Sequence, residues 1–545
     1  MSDHERSRRT RRSTYHMMII VALAIAAGRI AVVTSKEGDT AFLSVNDRSR
    51  WCTVASLVEH GTYEIDTQIK VKYDKKGLLT YGNGRTSWQT IDKVRHLGSD
   101  GKQHYYSSKP PLFPTMVAGV YKLVTMVWGM TLTDEPLYVT RIILALINLP
   151  LLAIFLYGTI GSIDGICRSE WARRIAAFSA CFGTMLLPFA ITLNNHLPAA
   201  AATAAAMWLY LYAAAKLDAP EDDPTRHVSF WVWIAAGISA AFAAANELPA
   251  LSMMVFWLIL FAMLSRKSIV PFVAGAAMIT IGFFGTNWIA HQSLRPPYAH
   301  RGNGARIANL VTGPVNPDSV LVTEIQDILK DQGLVTDDTP LQIVAPATAT
   351  EEAQRWKVVA GEKHFALLRE GNRWQLAHWD DWYDYDGSYW TGPRKGVDIG
   401  EPSRLIYFLH MTIGHYGLFS LTPMWLLVPL GLIRGPDFGP SDFRRLALAV
   451  LVATVVCLIF YLSRPEIDRN YGGVSVCFRW MLWFAPLWLL MIAPVLEVCS
   501  EPNQRRTVTV MLALSVFSVS TALHSPWQHP WLYQFWEYLG WIGSN

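Results

Sequence analysis

Stretches of about 20 apolar residues recur along this 545-residue chain and limit its fold more than any other feature. The hydrocarbon layer of a membrane is ~30 Å thick, and a helix needs about 20 apolar residues to cross it. Hydrophobic residues make up 51% of the chain and charged residues only 17%. That balance is typical of a protein that crosses a membrane many times, and not of a soluble enzyme. The sequence therefore predicts an all-α polytopic membrane protein.

Eleven segments have the length and composition of membrane spans. They lie at about 17–34, 138–160, 172–193, 197–216, 229–246, 248–264, 268–290, 405–433, 446–463, 476–498 and 507–524. A further apolar segment, 111–131, begins with prolines and contains Lys122, which favours a helix lying along the membrane interface. With eleven spans, the loops rich in Arg and Lys all face the cytoplasm, as the positive-inside rule requires. We therefore expect a multi-pass protein of the cell membrane with a cytoplasmic N-terminus.

This topology leaves two large loops outside the cytoplasm. The first covers about 35–110, and the second covers 291–404, where alternating residues predict strands and thus a small α/β domain. We divide the chain into three parts. An N-terminal membrane module at 1–290 includes the first loop, the loop domain follows at 291–404, and a C-terminal membrane module occupies 405–545.

Several classes of function find no support in the sequence. The net charge is only +4, so nucleic acid is not an expected partner. The six cysteines are scattered without a CxxC pair, which indicates neither a cysteine zinc site nor a disulfide framework. There is no Rossmann or P-loop signature for a nucleotide. The sequence implies no cofactor and leaves a divalent metal open.

One carboxylate stands out by its position. Asp47 follows the first span closely, so we expect it at the outer membrane surface. A carboxylate there can take a proton from a hydroxyl, and the neighbouring Arg48 and Arg50 would favour its ionised form. Asp is equally common as the N-cap of a helix, and Asp47 precedes a helical pattern.

Three cations are expected near the same surface. Lys109 lies in a Ser-Ser-Lys-Pro-Pro-Leu stretch, Arg141 lies at the outer end of its span, and Arg479 lies about one turn inside an apolar segment. Lys109 could mark only a junction between loop and helix, and Arg141 could simply extend to the interface. Arg479 needs a partner in its apolar surroundings, and a phosphate is a natural one.

Two turns between predicted spans also carry polar residues. Asn195 and His196 precede Pro198, and Glu247 precedes Pro249. A carboxylate at a tight turn between two membrane helices is costly unless it faces a polar cavity, so Glu247 is a candidate cavity residue. His196 is more often a structural turn residue, and a role in binding a ligand is the alternative. Asn195 and His196 are therefore candidates for the same cavity as Glu247. The remaining candidates for substrate contact are Arg48 and Arg50 beside Asp47, and His410, His415 and Tyr471, which flank later spans.

Several of these motifs resemble the GT-C superfamily of membrane glycosyltransferases, in particular the protein O-mannosyltransferases and the aminoarabinose transferase of lipid A. The Asp-Arg-Ser-Arg-Trp stretch at 47–51, followed by Gly-Thr-Tyr at 61–63, resembles the first periplasmic loop of that superfamily. Lys-Pro-Pro-Leu at 109–112 resembles a motif of the same family, and Arg141 resembles the Arg that opens its second span. The resemblance covers 17–265 well.

Farther along, Tyr-Gly-Gly at 471–473 and Arg-Trp at 479–480 are similar to a pattern in related lipid-linked sugar transferases, within a looser resemblance over 405–525. The resemblance implies inverting transfer of a sugar from a polyprenyl-phosphate donor to a hydroxyl of a lipid, glycan or protein outside the cytoplasm. It implies Asp47 as the base. The residues that it implies for the donor phosphate are Lys109, Arg141 and Arg479.

A lipid or glycan transporter (a flippase) is the alternative from another class, and an inactive scaffold of the cell envelope is a third. A transporter would also have many spans and buried charges. Inverted repeats and charges in the middle of spans are typical of transporters, and the sequence has no visible repeat and few such charges. Two large outer loops also favour an enzyme.

Overall fold

A computed structural model describes residues 3–73, 79–81, 86–220, 223, 226–301, 304–310, 321–344, 353–370, 373–391 and 394–542. Its helices are α1 (Asp3–Val32), α2 (Val45–Ala55), α3 (Leu112–Trp128), α4 (Pro136–Ile166), α5 (Glu170–Phe182), α6 (Leu186–Phe189), α7 (His196–Leu217), α8 (Phe230–Asn246), α9 (Leu251–Leu264), α10 (Ile269–His291), α11 (Leu321–Asp331), α12 (Arg404–Thr412), α13 (Leu418–Leu421), α14 (Leu427–Arg434), α15 (Ser441–Leu462), α16 (Ala485–Met491), α17 (Ala493–Val498), α18 (Pro502–Ala522) and α19 (Trp531–Tyr538). Its strands are β1 (Val71–Tyr73), β2 (Leu79–Tyr81), β3 (Lys93–Leu97), β4 (Gln103–Ser107), β5 (Arg306–Leu310), β6 (Leu341–Val344), β7 (Ala353–Ala360), β8 (Lys363–Glu370) and β9 (Arg373–His378).

Long apolar helices dominate the fold, as a membrane protein requires. Within the described ranges, six helical segments are long and apolar enough to cross a membrane: Arg9–Val32, Pro136–Ile166, His196–Leu217, Arg266–His291, Ser441–Leu462 and Arg479–Val498. Three apolar helices are shorter: Leu112–Trp128, Phe230–Asn246 and Leu248–Leu264.

The structure does not confirm the count of eleven spans. The predicted span at 405–433 is divided into the three short helices α12, α13 and α14. Gly417 lies just before α13, and Pro423 begins the helical turn after it. Proline has no backbone N–H to donate, and its ring clashes with the carbonyl four residues earlier, so an interior proline kinks or breaks a helix. Hydropathy alone did not register these interruptions.

The two loops at 35–110 and 291–404 contain all of the described strands. In the first loop, β1 pairs with β2 and β3 pairs with β4, each as an antiparallel hairpin. In the second loop, five antiparallel strands form one sheet in the order β5-β9-β8-β7-β6. Helix α11 packs on this sheet through Ile325 and Leu329, which share a core with Leu367 and Leu376. The alternation that predicted strands in this loop corresponds to β7, β8 and β9.

The second loop rests on the first through a segment that follows β9. The backbone N–H of Arg95 in β3 donates to the carbonyl of Trp382 at 2.8 Å, and the indole N–H of Trp390 donates to the carbonyl of Ile91 at 2.9 Å. The ring of His96 stacks on that of Trp382, with centroids 4.2 Å apart. These contacts join the two loops into one structure beside the ends of the membrane helices.

Cysteine accessibility tests the predicted topology. Asp386 in the second loop and Lys267 before α10 are both exposed, whereas the six native cysteines are buried. A membrane-impermeant maleimide added to spheroplasts should therefore modify the Asp386→Cys variant and leave the Lys267→Cys variant unmodified until the membrane is permeabilised. Labelling at position 267 but not at position 386 would reverse the orientation.

Candidate functional site

A cavity of about 290 Å³ lies where the first loop and the loop domain meet the ends of the membrane helices. The first loop, the turns before α7 and α9, the end of α15 and the turn before α16 all contribute to its wall. Its charged lining residues are Arg50, Asp92, Lys109, Glu247, Arg301, Arg464 and Arg479. Because five of these are cationic and two are carboxylates, the cavity is suited to an anionic ligand.

The β3–β4 hairpin places one carboxylate and one cation side by side. Asp92 precedes β3 and Lys109 follows β4, and the pairing of Lys93 with Ser107 brings them together. The Lys109 Nζ lies 3.0 Å from Asp92 Oδ2. The hydroxyl of Ser49 in α2 fixes the hairpin by donating to the Asp92 carbonyl at 2.5 Å. Burial lowers the pKa of Lys109 to about 8, against the effect of Asp92.

Arg50 reaches the cavity from one turn inside α2. Its Nη1 donates to the carbonyl of Asn46, 3.1 Å away, and its Nη2 donates to Asn195 Oδ1 at 2.8 Å. The amide of Asn195 in turn donates to Glu247 Oε1 at 2.6 Å and to the Asn246 carbonyl at 3.0 Å. Arg50 forms no ion pair with any carboxylate in the described ranges, which leaves its charge available to a ligand.

A chain of hydrogen bonds links Arg479 to Glu247 through His196. Nη1 of Arg479 donates to His196 Nε2 at 2.7 Å. An Arg guanidinium can only donate, so Nε2 must accept and the proton of the neutral imidazole must be on Nδ1. His196 Nδ1 then donates to Glu247 Oε1 in a short hydrogen bond. His196 is fully buried behind the cavity wall, whereas Glu247 and Arg479 line the cavity.

Burial also changes the acidity of Glu247. Only about 5% of this residue is exposed. Burial raises the pKa of Glu247 to about 8, although Arg479 and Arg50 act in the opposite direction. A carboxylate with a pKa near neutrality is suited to proton transfer.

The position of Arg479 depends on a glycine. Its Nε donates to the Gly472 carbonyl at 2.7 Å. Gly472 has φ +93°, a conformation that residues with a side chain rarely adopt. A Cβ on this residue would lie 2.5 Å from Arg479 Nε. The Gly-Gly pair of the Tyr-Gly-Gly motif therefore provides both the turn and the space that the guanidinium needs.

Asp47 lies behind the cavity wall and does not line it. It is fully buried at the start of α2, where Oδ1 accepts from Ser44 N at 2.9 Å and Oδ2 accepts from Leu43 N at 3.0 Å. Oδ2 also accepts from the Thr192 hydroxyl at 2.6 Å. Burial raises the pKa of Asp47, although these hydrogen bonds lower it. Ser44, and not Asp47, is the N-cap of α2, and Asp47 completes the capping box as the third residue of the helix. The hydrogen bond from Thr192 adds a contact with the turn before α7, and the role of Asp47 as the base stays a prediction.

Two other predicted cations also lie away from the cavity. Arg141 donates through Nε and Nη2 to the carbonyl of Val33, at 3.0 and 2.8 Å, and so ties α4 to the end of α1. Arg48 donates to the carbonyl of Gln89 at 2.8 Å. Neither is among the residues that line the cavity.

His410, His415 and Tyr471 form a separate cluster with Glu401. The rings of His410 and His415 stack with centroids 4.1 Å apart, and the Tyr471 hydroxyl donates to Glu401 Oε1 at 2.7 Å. The structure thus unites Arg50, Lys109, Asn195, Glu247 and Arg479, with His196 directly behind them, and leaves these three residues outside the cavity.

Several residues of the cavity were not predicted from the sequence. Asp92 has no motif around it, and only the pairing of β3 with β4 shows that it accompanies Lys109. The wall formed by the loop domain was also missed, although the aromatic residues before 391 were a visible signal. The missed residues are Asn46, Asp92, Tyr298, Arg301, Tyr383, Trp390 and Arg464.

Two groups of described residues have ligand atoms close enough to hold a metal ion. One is Glu401 with His410 and His415, and the other is Glu64 with Asp66 and His104. In the second group, His104 already contacts Asp66 Oδ2 and Asp100 Oδ1, each at 3.1 Å.

Comparisons with known proteins give only distant similarity. No protein-family model and no curated protein sequence matches the chain. Among solved structures, it is similar to the Archaeoglobus fulgidus oligosaccharyltransferase in complex with zinc and sulfate, with a TM-score of 0.45, 12% identity, and coverage of 96% of this chain and 55% of that one. It is also similar to the oligosaccharyltransferase AglB of the same organism in complex with an inhibitory peptide and a dolichol-phosphate, with a TM-score of 0.44, 12% identity, and coverage of 97% and 57%. The chain therefore spans less than two thirds of the length of these proteins. TM-scores below 0.5 carry no argument about function, so the proposed function rests on the residues of this chain.

The capping role of Asp47 predicts a loss of stability in the Asp47→Asn variant. Both carboxylate oxygens accept from backbone N–H groups, so the amide nitrogen of Asn must face one of these donors. Leaving one buried donor unpaired costs about 1–3 kcal/mol, which thermal unfolding in detergent should detect. Asp134 is a matched control, because it also accepts from a Thr hydroxyl but is exposed. A fall in stability for Asp134→Asn equal to that for Asp47→Asn would contradict the assignment.

Proposed function

We propose that the chain is a membrane glycosyltransferase that moves a sugar from a polyprenyl-phosphate donor to a hydroxyl acceptor at the outer membrane surface. The observation that supports this most is the cavity itself. It combines an excess of cations with a buried carboxylate of raised pKa, at the ends of apolar helices. This proposal also agrees with the resemblance to GT-C enzymes in the motifs at 47–51 and 109–112.

The donor phosphate is held by Lys109, Arg50 and Arg479. Arg50 and Arg479 each have a guanidinium in the cavity with no ion pair to any described carboxylate, and Lys109 is paired only with Asp92. Cations in a site that excludes water stabilise the charge that develops on a leaving phosphate. Asp92 keeps Lys109 in place between reaction cycles.

Glu247 is the base. The acceptor oxygen forms a bond to C1 of the sugar as the bond from C1 to the phosphate oxygen breaks, and the electron pair of that bond stays with the phosphate. The acceptor's proton passes to Glu247. Both described hydrogen bonds to Glu247, from Asn195 and His196, end on Oε1, which leaves Oε2 for the acceptor. Attack opposite to the leaving phosphate inverts the configuration at C1.

The lipid chain of the donor leaves the cavity along its apolar side. Leu248, in the turn before α9, is 53% exposed, and Phe460, near the end of α15, is 40% exposed. Both line the cavity and present apolar surface at the ends of apolar helices. An isoprenoid chain can therefore lie in the membrane while its phosphate reaches the cations.

The acceptor enters from the opposite side, which the loop domain covers. Tyr298, Arg301, Tyr383 and Trp390 line this side of the cavity. The Arg301 guanidinium lies 4.0 Å from the centroid of the Trp390 ring, which fixes both groups. Aromatic faces beside a cation provide a surface on which a polar acceptor with apolar patches can pack.

Substitution of the two candidate bases decides between them. In Glu247→Gln, the remaining carbonyl oxygen can still accept from His196 and Asn195, so the cavity keeps its shape but loses its proton acceptor. The release of polyprenyl phosphate from polyprenyl-phosphate sugars should fall at least ~100-fold, since general-base catalysis is typically worth 10²–10⁴-fold. Binding of polyprenyl phosphate itself should stay unchanged.

The matched comparison is Asp47→Asn, measured per molecule of folded protein. If Glu247 is the base, this variant should transfer at close to the normal rate despite its lower stability. A 100-fold loss in Asp47→Asn with normal transfer in Glu247→Gln would instead identify Asp47 as the base. If wild-type protein releases no polyprenyl phosphate from any donor in native membranes, the proposed function fails as a whole.

The pH dependence of transfer provides an independent prediction. Glu247 must be ionised to act as a base, so kcat/KM should rise with pH towards its pKa of about 8. Lys109 must be protonated to hold the phosphate, so kcat/KM should fall above its pKa of about 8. The wild-type profile should therefore have a maximum near pH 8. Arg stays protonated at every accessible pH, so Lys109→Arg should remove the alkaline fall; an alkaline fall that persists in this variant would exclude Lys109 as its cause.

A further inference from the structure

The cluster of Glu401, His410 and His415 lies outside the cavity and has no role in the proposed transfer. One ligand atom from each residue lies within 4.8 Å of the other two. Glu401 comes just before α12, His410 lies within this helix, and His415 follows it. Three residues from one short stretch of chain thus each bring a potential ligand atom into one small region.

The histidines carry ring nitrogens that the rest of the protein does not use. His415 is only 5% exposed, and its Nδ1 is buried without a hydrogen-bond partner. Nδ1 of His410 is likewise buried without a partner. A buried polar atom without a partner is costly, and nearly all such atoms in proteins are paired. Two of them in adjacent stacked rings point to a bound ligand, and a metal ion is the ligand that takes an electron pair from an imidazole nitrogen.

The carboxylate of Glu401 has a partner of the kind that orients metal ligands. The Tyr471 hydroxyl donates to Glu401 Oε1 at 2.7 Å, which orients the carboxylate. The backbone N–H of Glu401 donates to the Arg469 carbonyl at 2.9 Å, and Arg469 Nη1 donates to the Pro402 carbonyl at 2.8 Å. The hydrogen bond from Tyr471 is of the kind that holds a metal ligand in place and strengthens its binding, and the other two fix the backbone beside Glu401.

We propose that Glu401, His410 and His415 bind a zinc ion. Two imidazoles and one carboxylate are a ligand set that zinc takes, usually with a water or another group in the fourth position. Calcium and magnesium prefer oxygen ligands alone, so this set disfavours them. The ion would join the end of the loop domain to α12 and the loop after it.

The zinc site would also fix the segment that positions Arg479. Tyr471 contacts Glu401 through its hydroxyl, and the next residue, Gly472, accepts the hydrogen bond from Arg479 Nε. Zinc at Glu401 would hold this segment at one end while Arg479 holds it at the other. The role of the ion is therefore structural, and its binding can be measured whether or not the protein transfers sugar.

Zinc content and affinity of the full-length protein provide the test. Protein purified in detergent without a histidine tag should contain or take up one zinc per chain from ZnCl₂, and neither MgCl₂ nor CaCl₂ should compete at millimolar concentration. His410→Asn and His415→Asn should each weaken zinc binding by roughly 100-fold or more, because each removes a ligand. Tyr471→Phe keeps all three ligands and should weaken it about 10–100-fold.

His104→Asn is the matched control, because His104 belongs to the other group of potential ligands. It should bind zinc like the wild type, and zinc should raise the unfolding temperature of both but not that of His415→Asn. If the histidine variants do not fold, X-ray absorption of the wild type decides, with two imidazole ligands expected. Absence of zinc binding in the wild type, full binding in His415→Asn, or loss in His104→Asn alone would overturn the proposal.

Discussion

The hydrogen bonds from Arg479 through His196 to Glu247 hold together three parts of the chain that are far apart in sequence. Each part is the start of an apolar helical segment, and each brings a group that is expensive to bury alone. Paired through a neutral histidine, the cation and the carboxylate can stay in a space with little water. The direction of the proton in His196 follows from Arg479, which can only donate. The same contact thus fixes the geometry of α7, α9 and the turn before α16, and the tautomer of His196.

The membrane character of the chain follows directly from its hydropathy, because about 20 apolar residues in a row have few alternatives to a membrane helix. The number of spans does not follow as easily. The segment 405–433 is apolar throughout much of its length, but Gly417 and Pro423 divide it into short helices. Hydropathy measures the preference of side chains for lipid, and is insensitive to whether the backbone can continue as one helix.

The residues of the candidate site likewise divide into those that the sequence predicts and those that only the tertiary structure reveals. Glu247 and Arg479 were predicted because a charge within an apolar stretch has to be explained by a partner, and such charges are visible in a sequence. Asp92 was not predicted, because its role depends on the register of β3 with β4, which brings it to Lys109. Asp47 is the opposite case, because it was predicted as a site residue but does not line the cavity. Its place in the motif at 47–51 does not indicate whether its oxygens face a cavity or the first turn of α2. Only tertiary contacts separate these two cases.

One wall of the cavity belongs to the loop domain, whereas the rest of the site belongs to the first loop and the ends of the membrane helices. The contacts of the loop domain with the first loop are made in part by backbone groups, such as the N–H of Arg95 and the carbonyls of Trp382 and Ile91. Backbone groups are the same in every residue, whereas the other contacts need the indole of Trp390 and the stacked rings of His96 and Trp382. Parts of the loop domain that lie away from these aromatic residues can therefore change in sequence while the junction, and the buried charges at the ends of the membrane helices, stay as they are.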